Sequence, residues 1–371
     1  MTTSRKKKIA VVGAGNAGCI TSSYLISHFH DDIDHVEIVY DSSVPIEEVG
    51  QGTTPPVSEL LSDLYSFDWF SRNHIDATIK TGVLYDGWNS SKRFHGFPRN
   101  QTSFHYSPHK LSSVVLSSGF FRVSDQKVGS IDDVGADFVF DCRGKQNKID
   151  ISDEFVEYLP LVNPLNSVLL GTLPEIDPHL NYTQCLATDN GWTFVIPNKS
   201  STSIGYLYNS TLTSYEQASL DFFELFNIRP RSCFGFSNYV ADSIWHGSRG
   251  ILNGNRFSFL EPLEATSANL YLDIARSASD CIFNGASKIQ QSNLIRNHVH
   301  ELEEFILWHY QFRIGRNTPF WKYAASLDYS YSSRFQQILD LASSQSASFL
   351  RRHDHVNFGH WKPIDFLHWT Y

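Results

Sequence analysis

The stretch that most restricts what this chain can fold into is KIAVV at residues 8–12, followed at once by GAGNAG at 13–18. The apolar run reads as a buried strand. Gly13, Gly15 and Gly18 then fall at G-x-G-x-x-G spacing, CITSSYLISHF continues with helical periodicity, and HVEIVYD reads as a second strand. A strand, a crossover helix and a parallel strand make a Rossmann-like β-α-β unit. The glycines permit the tight turn, close approach of the backbone to a pyrophosphate, and close helix packing. Asn16 and Ala17 sit between them at the helix start, where amide donors and a partial positive charge meet phosphates. Asp41 ends the second strand, where a ribose hydroxyl needs an acceptor. The unit predicts a dinucleotide-binding module in an α/β fold.

Further along, residues 56–72 read as a helix, IDATIKTGVLYDGW as strands, HKLSSVVLSSG as helix, FFRVSDQKVGSI as a hairpin, and ADFVFDCRG as a strand ending in a turn. The region 155–245 is strand-rich. NLYLDIARSASDCIFNGAS and NLIRNHVHELEEFILWHYQF read as long helices, and the tail from 330 as helical with an aromatic end. With no repeat and no low-complexity linker, 1–371 is expected to be one compact body. Its nucleotide module would take 5–150 plus 245–290, a mixed-sheet substrate side 151–244, and a helical region 291–371.

Two stretches favour FAD over NAD. FDCRG places Asp141 and Gly144 at a strand end and turn, and NGNRFSFLEPLEATSANLYLDIARSA places Gly254 and Asn255 in a turn ahead of an apolar stretch and a helix. Only one G-x-G-x-x-G occurs. Either NAD(P)H binds elsewhere or reduced flavin arrives from another protein.

The totals exclude other classes. A net charge of −9 disfavours a broad nucleic-acid surface, and no run of 18 apolar residues exists to span a membrane. Five scattered cysteines fit reduced thiols in a cytoplasmic protein better than a disulfide framework or a zinc site, so no metal is expected. RKKK at 5–8 lacks a following signal core and reads as a solvated lead-in to the first strand. The aromatic load (27 Phe, 17 Tyr, 8 Trp) suits both a core and a pocket for a flat ligand.

One lysine raises a question. If 75–88 is a single strand, Ala77, Ile79, Val83 and Tyr85 share one face, and Lys80 lies opposite with Thr78, Gly82 and Leu84. Taken alone, Lys80 reads as a solvated edge lysine that discourages strand pairing.

Six segments in order alter that reading. GAGNAG, EEVGQGTTPPV (47–57, with Gly50 and Thr53), ATIKTGVLYDGW, GWTFVIP (191–197), EPLEATS (261–267) and HYQFRIGRNTPFWK (309–322) resemble the motifs of flavin-dependent halogenases of the tryptophan-halogenase type. The resemblance implies a glutathione-reductase-like FAD module and FADH2 delivered by a separate flavin reductase. O2 and a halide would then yield hypohalous acid at the flavin. Lys80 maps to the active lysine that holds or captures this oxidant for electrophilic attack on an electron-rich aromatic small molecule, and Glu264 to the assisting glutamate. Both choices make chemical sense. A lysine against an apolar wall has its charged form destabilised, and a nearby carboxylate can orient the oxidant, stabilise a ring cation or take a proton. Without the resemblance, Glu264 would read as a loop glutamate on the surface. Trp192 and Phe194 alternate on one strand and would shield the flavin from substrate. Thr266 and Ser267 mark the halide turn.

The chain departs from the family at Phe194, Gln51, Ala265 and Ser267. Ser267 stands where the family has glycine and is expected to reshape the halide turn, which leaves room for bromide or iodide. Its shortness points to a more open pocket than free tryptophan requires, and to the compact viral-type members. Two other readings stay open, a flavin-dependent aromatic hydroxylase and a non-catalytic flavin-binding relic. A homo-oligomer is compatible with the pattern.

Overall fold

The computed structural model describes residues 5–370, apart from 47–48, 68–72, 89–91, 99–100, 145–155, 175–176, 178, 313–314 and 353–356. The opening motif folds as expected into strand β1 (Lys7–Val12), helix α1 (Asn16–Phe29) and strand β2 (Ile33–Tyr40), with β1 and β2 parallel. They form the middle of a six-stranded sheet ordered Trp245–His246, Gly250–Leu252, Phe138–Asp141, β1, β2, Arg122–Asp125. Its central strands are buried on both faces, which is why β1 reads as a continuous apolar run and not as an alternation.

Arg122–Asp125 was expected to begin a hairpin. It instead pairs parallel with β2, as an edge strand in register Arg122 to Glu37. The chain reaches it through helix Pro108–Ser117, and a helical crossover delivers a parallel strand where a tight turn would deliver an antiparallel one. A single 3-10 turn, Ile131–Asp133 capped by Ser130, follows.

A second, mixed sheet has seven strands ordered Ser232–Gly235, Ser167–Leu173, Thr202–Tyr208, Gly191–Pro197, Thr183–Thr188, Gly82–Asp86, Arg93–Gly96. The span 5–150 therefore does not map onto one sheet, because 82–86 joins this second sheet by parallel pairing with 183–186. A small three-stranded sheet of Gln51–Gly52, Ser103–Tyr106 and Thr78–Lys80 lies between these elements in the chain.

The lysine segment is thus two strands. Thr81 breaks it: its amide donates to the Asn181 carbonyl (2.8 Å), and its own carbonyl accepts from Phe97 (2.9 Å). The break shifts the alternation by one residue. Lys80 is 1% exposed and Ile79 41%, yet Val83 and Tyr85 beyond the break are buried as well. The single-strand assignment put Lys80 opposite those two, and the Thr81 break overturns it.

Helices Ser267–Phe283 and Lys288–Gln311 form as the periodicity predicts. After them, Pro319–Ala325, Ser333–Ser344, Ala347–Arg352 and Pro363–Thr370 fold back on the long helix. Phe305 and Trp308 pack there against Phe335, Trp361 and Phe366. Among the described residues no helix is long and apolar enough to cross a membrane, and all five cysteines are free thiols.

Candidate active site

The glycine turn opens onto a groove of about 730 Å³ lined by Gly13, Gly15, Asn16, Ala17, Asp41, Arg143, Gly144 and Asn255 among others. Gly13 has φ +109°, and a Cβ there would lie 2.8 Å from the Cys142 carbonyl oxygen. A Cβ on Gly18 would lie 1.9 Å from the Gly13 oxygen, whereas at Gly15 it would meet nothing within 4 Å. Gly13 and Gly18 are thus required by the turn, and Gly15 between them leaves room for a ligand. Helix α1 begins without a side-chain cap and without an acidic residue in its first turn, so its amides are available to phosphates. Both bonds from Ser43 to Asp41 use Oδ1, which leaves Oδ2 for a ribose hydroxyl. This donor set fits the ADP half of a dinucleotide.

Four expected cofactor residues take other places. Asp141 is buried and ion-paired to Arg143 (2.8 Å) and Arg256 (3.0 Å), so it orients Arg143 instead of forming the groove wall. Gly254 (φ +64°) gives close packing on α1, since a Cβ would sit 2.6 Å from that of Ala17. The Gly50 amide donates to Ser203 Oγ at 2.8 Å. Thr53 turns its carbonyl to Lys80 and shares a hydroxyl contact with Ser103.

Lys80 Nζ makes one hydrogen bond among the described residues, to the Thr53 carbonyl at 3.2 Å, and lies 5.5 Å from the Phe97 ring centroid. Gly52 allows the amine its place, because a Cβ there would be 2.9 Å from Nζ. Burial pushes the amine down to about 8, against the opposing pull of Glu264 and Cys185. Burial and the Lys80 charge together hold His105 neutral, well below the usual imidazole range.

Glu264 comes from the other side. Tyr85 donates to its Oε1 at 2.5 Å, His95 Nδ1 lies 3.0 Å from both oxygens, and His309 Nε2 lies 3.3 Å away. Burial alone would raise this carboxyl, but the His95 and His309 contacts outweigh it and hold Glu264 well below the ordinary carboxylate range. His95 is raised in turn, since Glu264 and Asp365 (3.3 Å from Nε2) overcome the effect of its burial. Glu264 (φ +66°) and Ala265 (φ +53°) both adopt left-handed backbone, which costs about 1–2 kcal/mol for each such residue. An enclosed cavity of about 40 Å³ lies between Gln51, Gly52, Cys185, Phe194 and the turn Pro262–Ala268, with Glu264 on its wall. Lys80 is not on that wall itself but lies behind Gly52, which is, and Glu264, far away in sequence, is close enough to act on its charge.

A family model described as tryptophan halogenase matches residues 8–130 and 113–364 of this chain. The chain belongs to the tryptophan halogenase family. It is 23% identical over 324 residues to tryptophan 7-halogenase RebH of Lentzea aerocolonigenes, a match covering 74% of this chain and 59% of that protein. Tryptophan 6-halogenase ThaL of Streptomyces albogriseolus is 25% identical over 227 residues, covering 55% and 40%. The chain thus spans about half the length of these curated relatives. Among solved structures it resembles Xcc4156, a flavin-dependent halogenase from Xanthomonas campestris (TM-score 0.82, 16% identity, 98% of this chain and 88% of that one). It also resembles BrvH, a flavin-dependent halogenase from Brevundimonas sp. BAL3 (TM-score 0.81, 18% identity, 98% and 89%). At these identities the likeness is one of fold, an α/β fold with a Rossmann-like module.

In this tryptophan halogenase family member, the signature strand Gly191–Pro197 is buried at every residue. Trp192 and Phe194 meet with ring centroids 6.4 Å apart. Trp192 Nε1 donates to Tyr310 (2.7 Å), whose hydroxyl donates to Glu261 (2.7 Å). Burial raises Glu261 to about 8. Ser267 itself does not need left-handed backbone. It is the first residue of a helix, and the left-handed residues are Glu264 and Ala265. Thr266 Oγ1 is buried with no hydrogen-bond partner among the described residues, so a donor is left over at this turn. Sequence reasoning gave His95 and Asp365 no role, quoted Glu261 and His309 only as parts of motifs, and named Tyr85 only as a residue on one strand face. Nothing in the spacing of these residues announces that they converge.

Proposed function

We propose that the protein is an FADH2-dependent halogenase that uses Lys80 and Glu264 to place a halogen on an electron-rich aromatic small molecule. The observation that carries this reading is a buried lysine amine, depressed by desolvation, whose surroundings include one ionised carboxylate. Gly13, Gly15, Asn16, Ala17, Asp41, Arg143 and Asn255 would hold the cofactor, which when bound supplies hypohalous acid from O2 and halide. A separate reductase would deliver it reduced.

The chain's own groups divide the remaining work. The Lys80 amine, bonded among the described residues to the Thr53 carbonyl alone, has hydrogens left to hold hypohalous acid through its oxygen, or a lone pair to capture the halogen. Walls of Phe194, Ile196 and Val83 keep bulk water from the cavity. Glu264, held ionised, stabilises the cationic ring formed when carbon takes the halogen. The ring proton and the hydroxide released from the oxidant leave as water, so the balance is aryl C–H plus HOX to aryl C–X plus water. Thr266 Oγ1 is the leftover donor available to a halide.

The test is turnover with a flavin reductase, NADH, each halide in turn and a panel of phenols and indoles, run beside Lys80→Ala. Halogenated product from the native enzyme and none from the variant is the expected result. Hydroxylated product without halide would instead establish the hydroxylase reading, and flavin binding with no product across the panel the relic. The same assay ranks halides, and a strong chloride preference rejects a site suited to bromide or iodide.

A further inference from the structure

Away from this site, two helices and the C-terminal segment bring three side chains to one point. Asp273 lies on helix Ser267–Phe283, His298 on helix Lys288–Gln311, and His360 in the turn Phe358–Trp361. His298 Nε2 and His360 Nε2 are 2.8 Å apart, His360 Nε2 is 3.0 Å from Asp273 Oδ2, and His298 Nε2 is 3.8 Å from the same oxygen.

Protons account poorly for this arrangement. A proton on His360 Nε2 can point at the carboxylate or at His298, not well at both. A proton on His298 Nε2 has its nearest lone pair on His360 only if His360 gives up its bond to Asp273. Three lone-pair atoms thus share about one hydrogen. A cation satisfies all three at once. The three atoms lie on a circle of radius about 1.9 Å, and zinc bonds to imidazole nitrogen and carboxylate oxygen are about 2.0–2.2 Å, so an ion just off their plane reaches all of them. The carboxylate is already oriented, by Asn269 Nδ2 on Oδ2 (3.2 Å) and Arg276 on Oδ1 (3.3 Å). The side chains are 15–23% exposed, so water can complete the coordination.

We propose that Asp273, His298 and His360 form a divalent transition-metal site of the zinc class, which clips the C-terminal segment to the two long helices. No metal was expected from the cysteines, and none of them takes part. The ligands come from positions 273, 298 and 360, a spacing that matches no compact motif. The clip also bears on the candidate active site, because helix Pro363–Thr370, which begins three residues after His360, carries the Asp365 that pairs with His95.

The experiment measures binding alone, so its outcome does not depend on whether the protein halogenates. Full-length protein stripped with chelator is titrated with Co2+ and then Zn2+. One equivalent of Co2+ is expected to give ligand-field absorption bands, which Zn2+ abolishes by displacement while raising the melting temperature. His298→Ala, His360→Ala and Asp273→Asn are each expected to bind at least about tenfold more weakly. His30→Ala, an exposed histidine elsewhere, should bind as the native chain does. Native protein that takes up no stoichiometric Co2+ at micromolar concentrations overturns the site without recourse to any variant. Undiminished binding by folded His298→Ala and His360→Ala, with folding checked by circular dichroism, overturns it equally.

Discussion

At the scale of the residue, the energetic cost sits at Lys80. Its amine is held about two and a half pH units below the ordinary lysine value, which corresponds to roughly 3 kcal/mol against the charged form. At pH 7 both folded and unfolded chains carry the proton, so that cost is present in full. Between pH 8 and 10.5 the folded chain has released a proton that the unfolded chain keeps, and stability rises with pH across that window. Lys80→Met, which keeps the length and removes the charge, is therefore expected to melt no lower than the native protein at pH 7. Its advantage should shrink by pH 10, as thermal unfolding at the two pH values would reveal. A variant clearly less stable than native at pH 7 would mean that the amine is solvated or fully paired. Little of this was legible from residues alone. Strand alternation made Lys80 an edge lysine, and only the ordered motifs moved it inside. The partners of Glu264 at 85, 95 and 309 were illegible because long-range packing, not local pattern, gathers them.

At the scale of the element, turns and breaks carry the function while helices and strands hold them in place. Periodicity found the long helices and the β-α-β unit because each satisfies its own backbone and shows one buried face locally. It failed where a strand's partner decides its role. Arg122–Asp125 became a parallel edge, and Thr81 split one alternating stretch between two sheets. Two glycine substitutions separate these roles. Gly18→Ala places a methyl 1.9 Å from the Gly13 backbone oxygen, which cannot move without opening the turn. FAD affinity, followed by flavin fluorescence, should be lost along with stability. Gly52→Ala comes too close to the end of the Lys80 side chain alone, at 2.9 Å, and meets His105 at an ordinary 3.5 Å. The amine can yield, so the melting temperature should hold within the equivalent of about 1 kcal/mol. Displacing a reacting group by about 1 Å costs up to ~100-fold in rate, so turnover should fall by about 10- to 100-fold. Equal activity in Gly52→Ala and the native enzyme would argue that the amine's position is not tuned by this loop.

At the scale of the whole molecule, the C-terminal segment reaches back to a site built mostly by residues 50–270. The sequence showed a helical, aromatic tail but not its destination, because a cover is defined by what it covers. Trp361 stacks on Phe305 with centroids 3.9 Å apart, and Phe305 lies edge-on to His309, the neighbour of Glu264. From the same tail Asp365 faces His95. The tail thus acts on the site through packing at one residue and through charge at the other, and two variants should part the effects. Trp361→Ala removes a side chain only 5% exposed, and such truncations cost about 3–5 kcal/mol, so its melting temperature should drop markedly. Asp365→Asn leaves the aromatic contacts in place and withdraws one of the two carboxylates that raise His95. The pKa of His95 should then fall towards the ordinary imidazole value. The charge that keeps Glu264 ionised would be lost at lower pH, and the alkaline limb of the pH–rate profile should move downward while stability near neutral pH changes little. An unmoved limb in Asp365→Asn would show that Glu264 alone sets the charge of His95, and that the tail serves the site by packing only.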